Sequence, residues 1–478
     1  MTPERNNPVR HLVLGAGIAV FSGFYFFLAT ILIQHTNQDR ERSDQQNNIR
    51  LAHEAKEQRE SPESWRDVLP HHTDGVVNPL WPWTASFLID EGESDRDIFV
   101  QGKWLNTVIS GAGLVFIALY LSRRWSLFGV FTFLFLVGFG AFLKRGTYFQ
   151  PEPLSFLLIL ASWICALQLL ERPRIPVFAL LGLFSGFAYL AKSSIQVLLL
   201  GFFGVLVLQV ALAAFGKGSL PAKRCLLLST GGAALSILVF LAIASPRLLE
   251  SQEKFGSAFH SWPALWMWND TFEEGAALMT RHPDPATIPA EEKPSFGNYI
   301  RNAEEGAPGE RMSFGLDWTM QNFFHPTRAR VHPKNQKPWK RILPDRGNYL
   351  YGLASLAVGL ALLFLLLHRK GEGDSPGDSP FPVAWFTKTV FVLGTFASYT
   401  LAYSWYAIIG KGDRFLLSLY GPLVLSLIWA ADALARWFRD QPRLKLLYPA
   451  YGAAMVTLLV FVALRLFQLA SFPEFYTK

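Results

Sequence analysis

Two cysteines, Cys165 and Cys225, stand in a chain of 478 residues, too few for a disulfide framework. Neither CxxC nor HExxH occurs, so no zinc ribbon or metalloprotease helix is written into the sequence. Charge is scarce too. Asp, Glu, Lys and Arg make up 17%, against about 25% in soluble domains. These shortages exclude a secreted disulfide scaffold, a cytosolic enzyme and a disordered chain. What is abundant is apolar: hydrophobic residues reach 51% and mean hydropathy is +0.22. The net charge of +7 would suit nucleic acid. The excess, however, lies in short loops between apolar runs, which is the signature of membrane topology. No nucleic-acid partner is expected.

A helix needs about 20 apolar residues to cross the hydrocarbon core. Eleven runs qualify as transmembrane helices of an all-α polytopic membrane protein: Leu12–Ile33, Leu105–Leu121, Leu127–Leu143, Leu154–Leu170, Val177–Ala191, Ile195–Phe215, Leu226–Ile243, Leu350–Leu367, Val383–Trp405, Leu416–Ala435 and Leu446–Leu466. Arg5, Arg10, Arg123, Arg124, Arg172, Arg174, Arg369, Lys370, Arg436 and Arg439 fall in the links on one side. The positive-inside rule makes that side cytoplasmic. The chain then divides into residues 1–33 (amino terminus and first span), 34–103 (first extracytoplasmic loop), 104–245 (spans two to seven), 246–348 (large second extracytoplasmic loop) and 349–478 (spans eight to eleven). The longest cytoplasmic link, His368–Pro382, is a Gly/Asp/Ser/Pro linker without chemistry.

Ionisable groups inside a membrane are costly, so their placement is informative. Here they gather at outer helix ends: Lys144, Arg145 and Glu152 between spans three and four, Lys192 between five and six, and Lys411, Asp413 and Arg414 between nine and ten. A coupled transporter more often places carboxylates near the midplane in broken helices. Lys388 and Asp432 fall near cytoplasmic ends, where snorkelling is the simplest account. Each outer cation also reads as an interfacial anchor, and Glu152 as a carboxylate suited to a helix N-terminus.

The stretch Ser43–Asp44–Gln45–Gln46–Asn47–Asn48–Ile49–Arg50–Leu51–Ala52 reads as a helix start, with Ser43 or Asp44 as cap and Gln46 at capping-box spacing. It is followed by the aromatic run Asn78–Pro79–Leu80–Trp81–Pro82–Trp83 and then the second span. "SDQQNNIRLA", "NPLWPW", "YFQPEPLSFLL", "GLFSGFAYLAKSS" and "GKGDRFLLSLYGPL" follow one another in an order that resembles the GT-C superfamily of polyprenyl-phosphate-dependent glycosyltransferases. The likeness is to bacterial membrane proteins related to protein O-mannosyltransferases and aminoarabinose transferases, and it covers the order of elements over most of the chain. Two features depart from the pattern. Asp44 lies about ten residues beyond the first span, and an acidic pair or DxD is absent there.

The resemblance implies a sugar donor on polyprenyl phosphate and an extracytoplasmic acceptor, whether lipid, glycan or protein. It also implies an active face in the periplasm of a bacterial inner membrane. By position it makes Asp44 the general base and Glu152 a second acid, with Asp39 the nearer alternative base and Asp74 a secondary candidate. Arg145, Lys192 and Arg414 would bind the donor phosphate. Cofactors are not fixed; family members differ over a divalent cation. His71–His72–x–Asp74 is a weak cation pattern that reads more simply as solvated. The competing readings are a flippase or transporter of lipid-linked cargo, and a noncatalytic envelope-assembly subunit. In the latter, Trp262, Trp266 and Trp268 would be interface anchors or an aromatic belt at the headgroups.

Overall fold

The computed structural model describes residues 8–35, 37–41, 44–215, 222–324, 352–354, 356–361, 383–410, 415–442 and 444–471. Ser43, Lys411, Asp413, Arg414, Arg369, Lys370 and the linker His368–Pro382 lie outside them. Among the described residues every regular element is helical. Without water to satisfy backbone groups, an apolar run must close its hydrogen bonds on itself.

In chain order the helices are α1 (Pro8–His35), α2 (Gln45–Glu60), α3 (Leu80–Ala85), α4 (Asp95–Ser122), α5 (Leu127–Val137), α6 (Leu143–Gly146), α7 (Glu152–Glu171), α8 (Ile175–Ala191), α9 (Ile195–Ala214), α10 (Ala222–Phe255), α11 (Trp262–Trp266), α12 (Phe272–Arg281), α13 (Phe296–Asn302), α14 (Ala307–Phe324), α15 (Val383–Tyr406), α16 (Leu417–Arg439) and α17 (Leu447–Ser471). A π turn, Gly138–Phe142, joins α5 to α6. Eight of the described helices are long and apolar enough to cross a membrane: α1, α4, the α5–α6 unit, α7, α9, α10, α16 and α17. The chain is therefore an all-helical, multi-pass membrane protein. Three further expected spans also meet helix: α8 has 17 residues, α15 has 24, and residues 352–354 and 356–361, inside the expected span Leu350–Leu367, are helical.

The bundle core runs through Phe21 of α1, Phe133 of α5, Trp163 of α7, Phe391 of α15 and Tyr420 of α16. Between α8 and α10 the backbones nearly touch. A Cβ on Gly182 would lie 2.4 Å from the Ser236 carbonyl oxygen, the small-residue close approach typical of helices in lipid.

Two expectations fail in the bundle. Neither Lys388 nor Asp432 snorkels. Lys388 is buried, 2.7 Å from Glu171 Oε2 and 4.2 Å from the Trp429 ring centroid. Asp432 has 0% exposure. Its carboxylate accepts from the Ser126 hydroxyl, from Ser126 N at 3.2 Å and from Tyr451 OH at 3.1 Å, and pairs with Arg436 Nε at 3.2 Å. Ser126 in turn caps α5 by accepting from Gly129 N at 3.1 Å. In this interior, a partner across the bundle satisfies the charge at less cost than stretching toward the surface.

Both polar segments sit at the same end of the bundle and are bonded to each other. Trp262 N donates to Gly75 O at 2.9 Å, and Arg66 pairs with Glu253 at 2.9 Å. Gly75 has φ +79°, and a Cβ there would lie 2.8 Å from the Trp262 ring; glycine alone fits. Helix α10 runs unbroken through Pro246 to Phe255. Arg247 is therefore inside a helix, buried, and donates to Tyr189 OH and His260 O.

Candidate active site

The first polar segment builds a small core of its own. Ile49 and Ala52 of α2, Trp81 of α3, Ile98 and Phe99 of α4 and Phe149 of the turn after α6 are buried together. Trp81 meets Phe149 edge-on at 5.4 Å. The motif "NPLWPW" thus works as a wedge that presses α2 onto the 146–150 turn.

Beneath that wedge lies a polar network. Gln45 Oε1 accepts from Phe149 N at 3.0 Å and from Asn37 Nδ2 at 2.7 Å. Gln45 Nε2 donates to Asp39 O at 3.0 Å. Asn106 Nδ2 donates to Tyr148 O at 2.9 Å and Gln150 O at 2.8 Å. Lys103, with 0% exposure, donates to Asn37 O at 2.8 Å with its ammonium 4.2 Å from the Phe99 ring centroid. The start of α2, the end of α1 and the turn carrying Arg145 and Glu152 are thereby held as one rim.

Asp44 occupies the N-cap position of α2 in the left-handed region, φ 65°, without a side-chain capping bond. The capping role expected of its carboxylate is not what holds it. Its backbone carbonyl accepts from Asn48 N and Nδ2 at 3.0 and 2.8 Å, and its side chain is exposed at the rim. Glu152 is 3% exposed at the start of α7, and Lys192 Nζ lies 3.3 Å from its Oε1. The same ammonium lies 4.7 Å from the centroid of Phe415, the residue next in the chain to Arg414. Tyr403 of α15 packs on Phe415 at 5.6 Å. Arg145 is buried with its guanidinium 5.2 Å from the Tyr148 ring centroid. Glu152 and Lys192 are thus a direct ion pair, while Asp44 is tied to the same turn through its neighbour Gln45; a proton acceptor and groups able to hold a departing anion are the elements such chemistry needs.

The remaining candidates divide. Asp39 is exposed, and its Oδ1 accepts from Glu41 N at 3.0 Å. Asp74 is committed to structure: Oδ1 accepts from Val76 N and Val77 N at 2.9 and 2.8 Å, while Oδ2 takes Asn47 Nδ2 at 2.9 Å. His71 faces Asp67 and His72 faces Glu54. Among the described residues no group of three or more His, Cys, Asp or Glu is arranged to hold a metal ion. Trp262 and Trp266 are buried with Leu278, Ile288 and Ile409. They are core, not lipid belt or interface anchors, because the second polar segment folds over them. The sequence assigned no role to Lys103, Gln45 or Asn106. The available signal was a polar stripe, Lys103, Asn106, Thr107 and Ser110, at helical spacing in an otherwise apolar helix.

The joint between the polar segments titrates. His72 Nε2 lies 2.7 Å from Glu54. Burial, then the nearby Lys254 charge, hold the ring below the usual histidine range. His260, tilted against Phe255 at 4.5 Å and edge-on to Trp262 at 5.0 Å, is pushed down to about 4 by burial and then by the charges of Arg247 and Lys293, with Asp284 opposing. Both rings are thus held neutral in the fold, whereas the unfolded chain takes up protons near pH 6.5. Stability is fully present above that pH and is lost as pH falls from about 6.5 toward 4. Thermal unfolding from pH 7 to 4 should show a falling midpoint, and His260→Phe should flatten the fall. An unchanged slope would place the titrating group elsewhere.

No protein-family model matches the chain, and no curated protein matches it.

Proposed function

We propose that the chain is an integral-membrane glycosyltransferase of the GT-C type. It would transfer a sugar, with inversion, from a polyprenyl-phosphate donor to an extracytoplasmic acceptor. The reading is carried by one observation. The start of α2, next to Asp44, is bonded through Gln45 to the turn between Arg145 and Glu152, and Glu152 is paired with Lys192.

In this reading Asp44 takes the acceptor proton as the acceptor oxygen attacks the anomeric carbon. The bond from that carbon to phosphate breaks, and the phosphate leaves with the electron pair. Arg145, Lys192 and Arg414 hold the growing charge. Glu152 fixes Lys192 in place through their 3.3 Å contact. The membrane frame is the eleven-span one, with the eight apolar helices joined by α8, α15 and the run at Leu350–Leu367. The basic links face the cytoplasm, and the polar segments face the periplasm of a bacterial inner membrane.

The test is release of sugar from a panel of radiolabelled polyprenyl-phosphate sugars by the protein in lipid nanodiscs. Release from at least one donor is expected. No release from any donor, together with movement of lipid-linked cargo across vesicles, would replace the enzyme reading by a transporter.

A further inference from the structure

We propose that the second polar segment carries a docking cleft for the glycan part of the acceptor, a neutral or amine-bearing polyhydroxylated chain. The acceptor role rests on the glycosyl-transfer reading. The binding chemistry stands on the cleft itself. The cleft has a volume of about 440 Å³ and lies between residues 268–281 and 291–303, within the common range of ligand pockets, about 300–1,000 Å³.

Its lining pairs flat aromatic surface with hydrogen-bonding groups. Trp268 and Tyr299 supply rings, and Asn269 and Asn302 supply amides. An amide both donates and accepts, as a hydroxyl does. Aromatic faces suit the apolar C–H face of a sugar ring while leaving its hydroxyls to polar neighbours. Charge narrows the class further. Asp270 is paired with Arg311 at 3.4 Å, and the remaining carboxylates Glu274, Glu291 and Glu292 outnumber the cations Arg281 and Lys293. That balance disfavours phosphate- or sulfate-bearing chains and leaves neutral or amino sugars.

The aromatic wall is held rigid. Arg311, buried, donates to Met267 O and Asn269 O, both at 2.8 Å, and to Trp405 O at 3.1 Å. Its guanidinium lies 5.0 Å from the Tyr299 ring centroid and 4.6 Å from that of Trp405. Tyr299 OH donates to Asp270 Oδ1 at 3.2 Å. Trp268 rests 5.6 Å from Trp405 and 5.6 Å from Phe296. Fixed rings lose little freedom when a ligand settles on them.

The cleft is also mechanically continuous with the rim. Trp405, which backs Trp268 and Tyr299, belongs to the last turn of α15. That turn also carries Tyr403 and Tyr406, each 5.6 Å from Phe415, and Phe415 lies under the Lys192 ammonium. An occupant of the cleft is thus attached to the helix end that borders the candidate catalytic rim.

The experiment uses the full chain in nanodiscs free of sugar detergents. Saturation-transfer NMR is recorded with short neutral oligosaccharides, amino-sugar oligosaccharides and a phosphorylated counterpart. Saturation transfer is expected for the first two, with binding weakened about tenfold by Trp268→Ala and severalfold by Glu292→Ala. Glu292 is exposed at the lip, so its replacement leaves the fold intact even where removal of Trp268 loosens it. No transfer from any neutral or amino sugar, equal binding by both variants, or preference for the phosphorylated chain would each overturn the proposal. Sugar release from the lipid donor is read on the same preparations. Glycan binding without donor cleavage keeps the cleft and removes the transferase reading; donor cleavage without glycan binding does the reverse.

Discussion

Under the proposed glycosyl-transfer reading, Asp44→Asn should lower sugar transfer from a polyprenyl-phosphate donor by about a hundred- to ten-thousand-fold, the usual contribution of a positioned general base. The amide keeps the shape of the carboxylate and cannot take the proton. Structure should survive the change. Asp44 makes no side-chain capping bond to α2, and its φ of 65° lies in the left-handed region that asparagine also tolerates. Gln45 and the Asp44 backbone carbonyl anchor the helix start, and the substitution leaves both alone. An unchanged thermal midpoint with lost transfer would establish the role. Full activity would remove Asp44 from the mechanism and bring Asp39 forward, tested by Asp39→Asn in the same assay.

Gly315→Val should be strongly destabilising, at the upper end of the about 1–3 kcal/mol typical of overpacking or beyond it. A Cβ at Gly315 would lie 1.8 Å from the Ser404 carbonyl oxygen and 2.5 Å from its carbon. Backbone atoms cannot rotate out of the way as a side chain can, so α14 and α15 must separate. That separation would pull Arg311 from Trp405 O and disturb the α15 end bearing Tyr403, linking stability to activity. The thermal midpoint and sugar release should fall together. A variant melting with the wild type would show that α14 does not rest on α15.

Several features of the site were legible because they depend on neighbours in sequence. The placement of Glu152 directly before an apolar run, and of Lys192 directly after one, put both at helix ends, and there they meet. The aromatic run Leu80–Trp83 was visible as a motif, but not its purpose, which requires Phe149 from another segment. Lys388 and Asp432 were misread for the same reason. Hydropathy places a charged residue by depth, whereas Glu171 and Ser126, which satisfy these two, are 217 and 306 positions away. Trp262 and Trp266 looked like surface anchors until the second polar segment folded over them.

The helical membrane frame follows from hydropathy alone, since a long apolar run in lipid has one way to satisfy its backbone. The same hydropathy pattern puts most ionisable groups at helix ends, because an unpaired charge in the membrane is costly. Which of those groups meet depends on how the helices pack. Gln45 reaches Phe149 N, Lys103 disappears beneath Asn37, and Trp405 joins the cleft to the rim through partners far apart in the chain. Such pairings depend on how helices pack, and packing is set by the shapes of facing side chains rather than by local hydropathy.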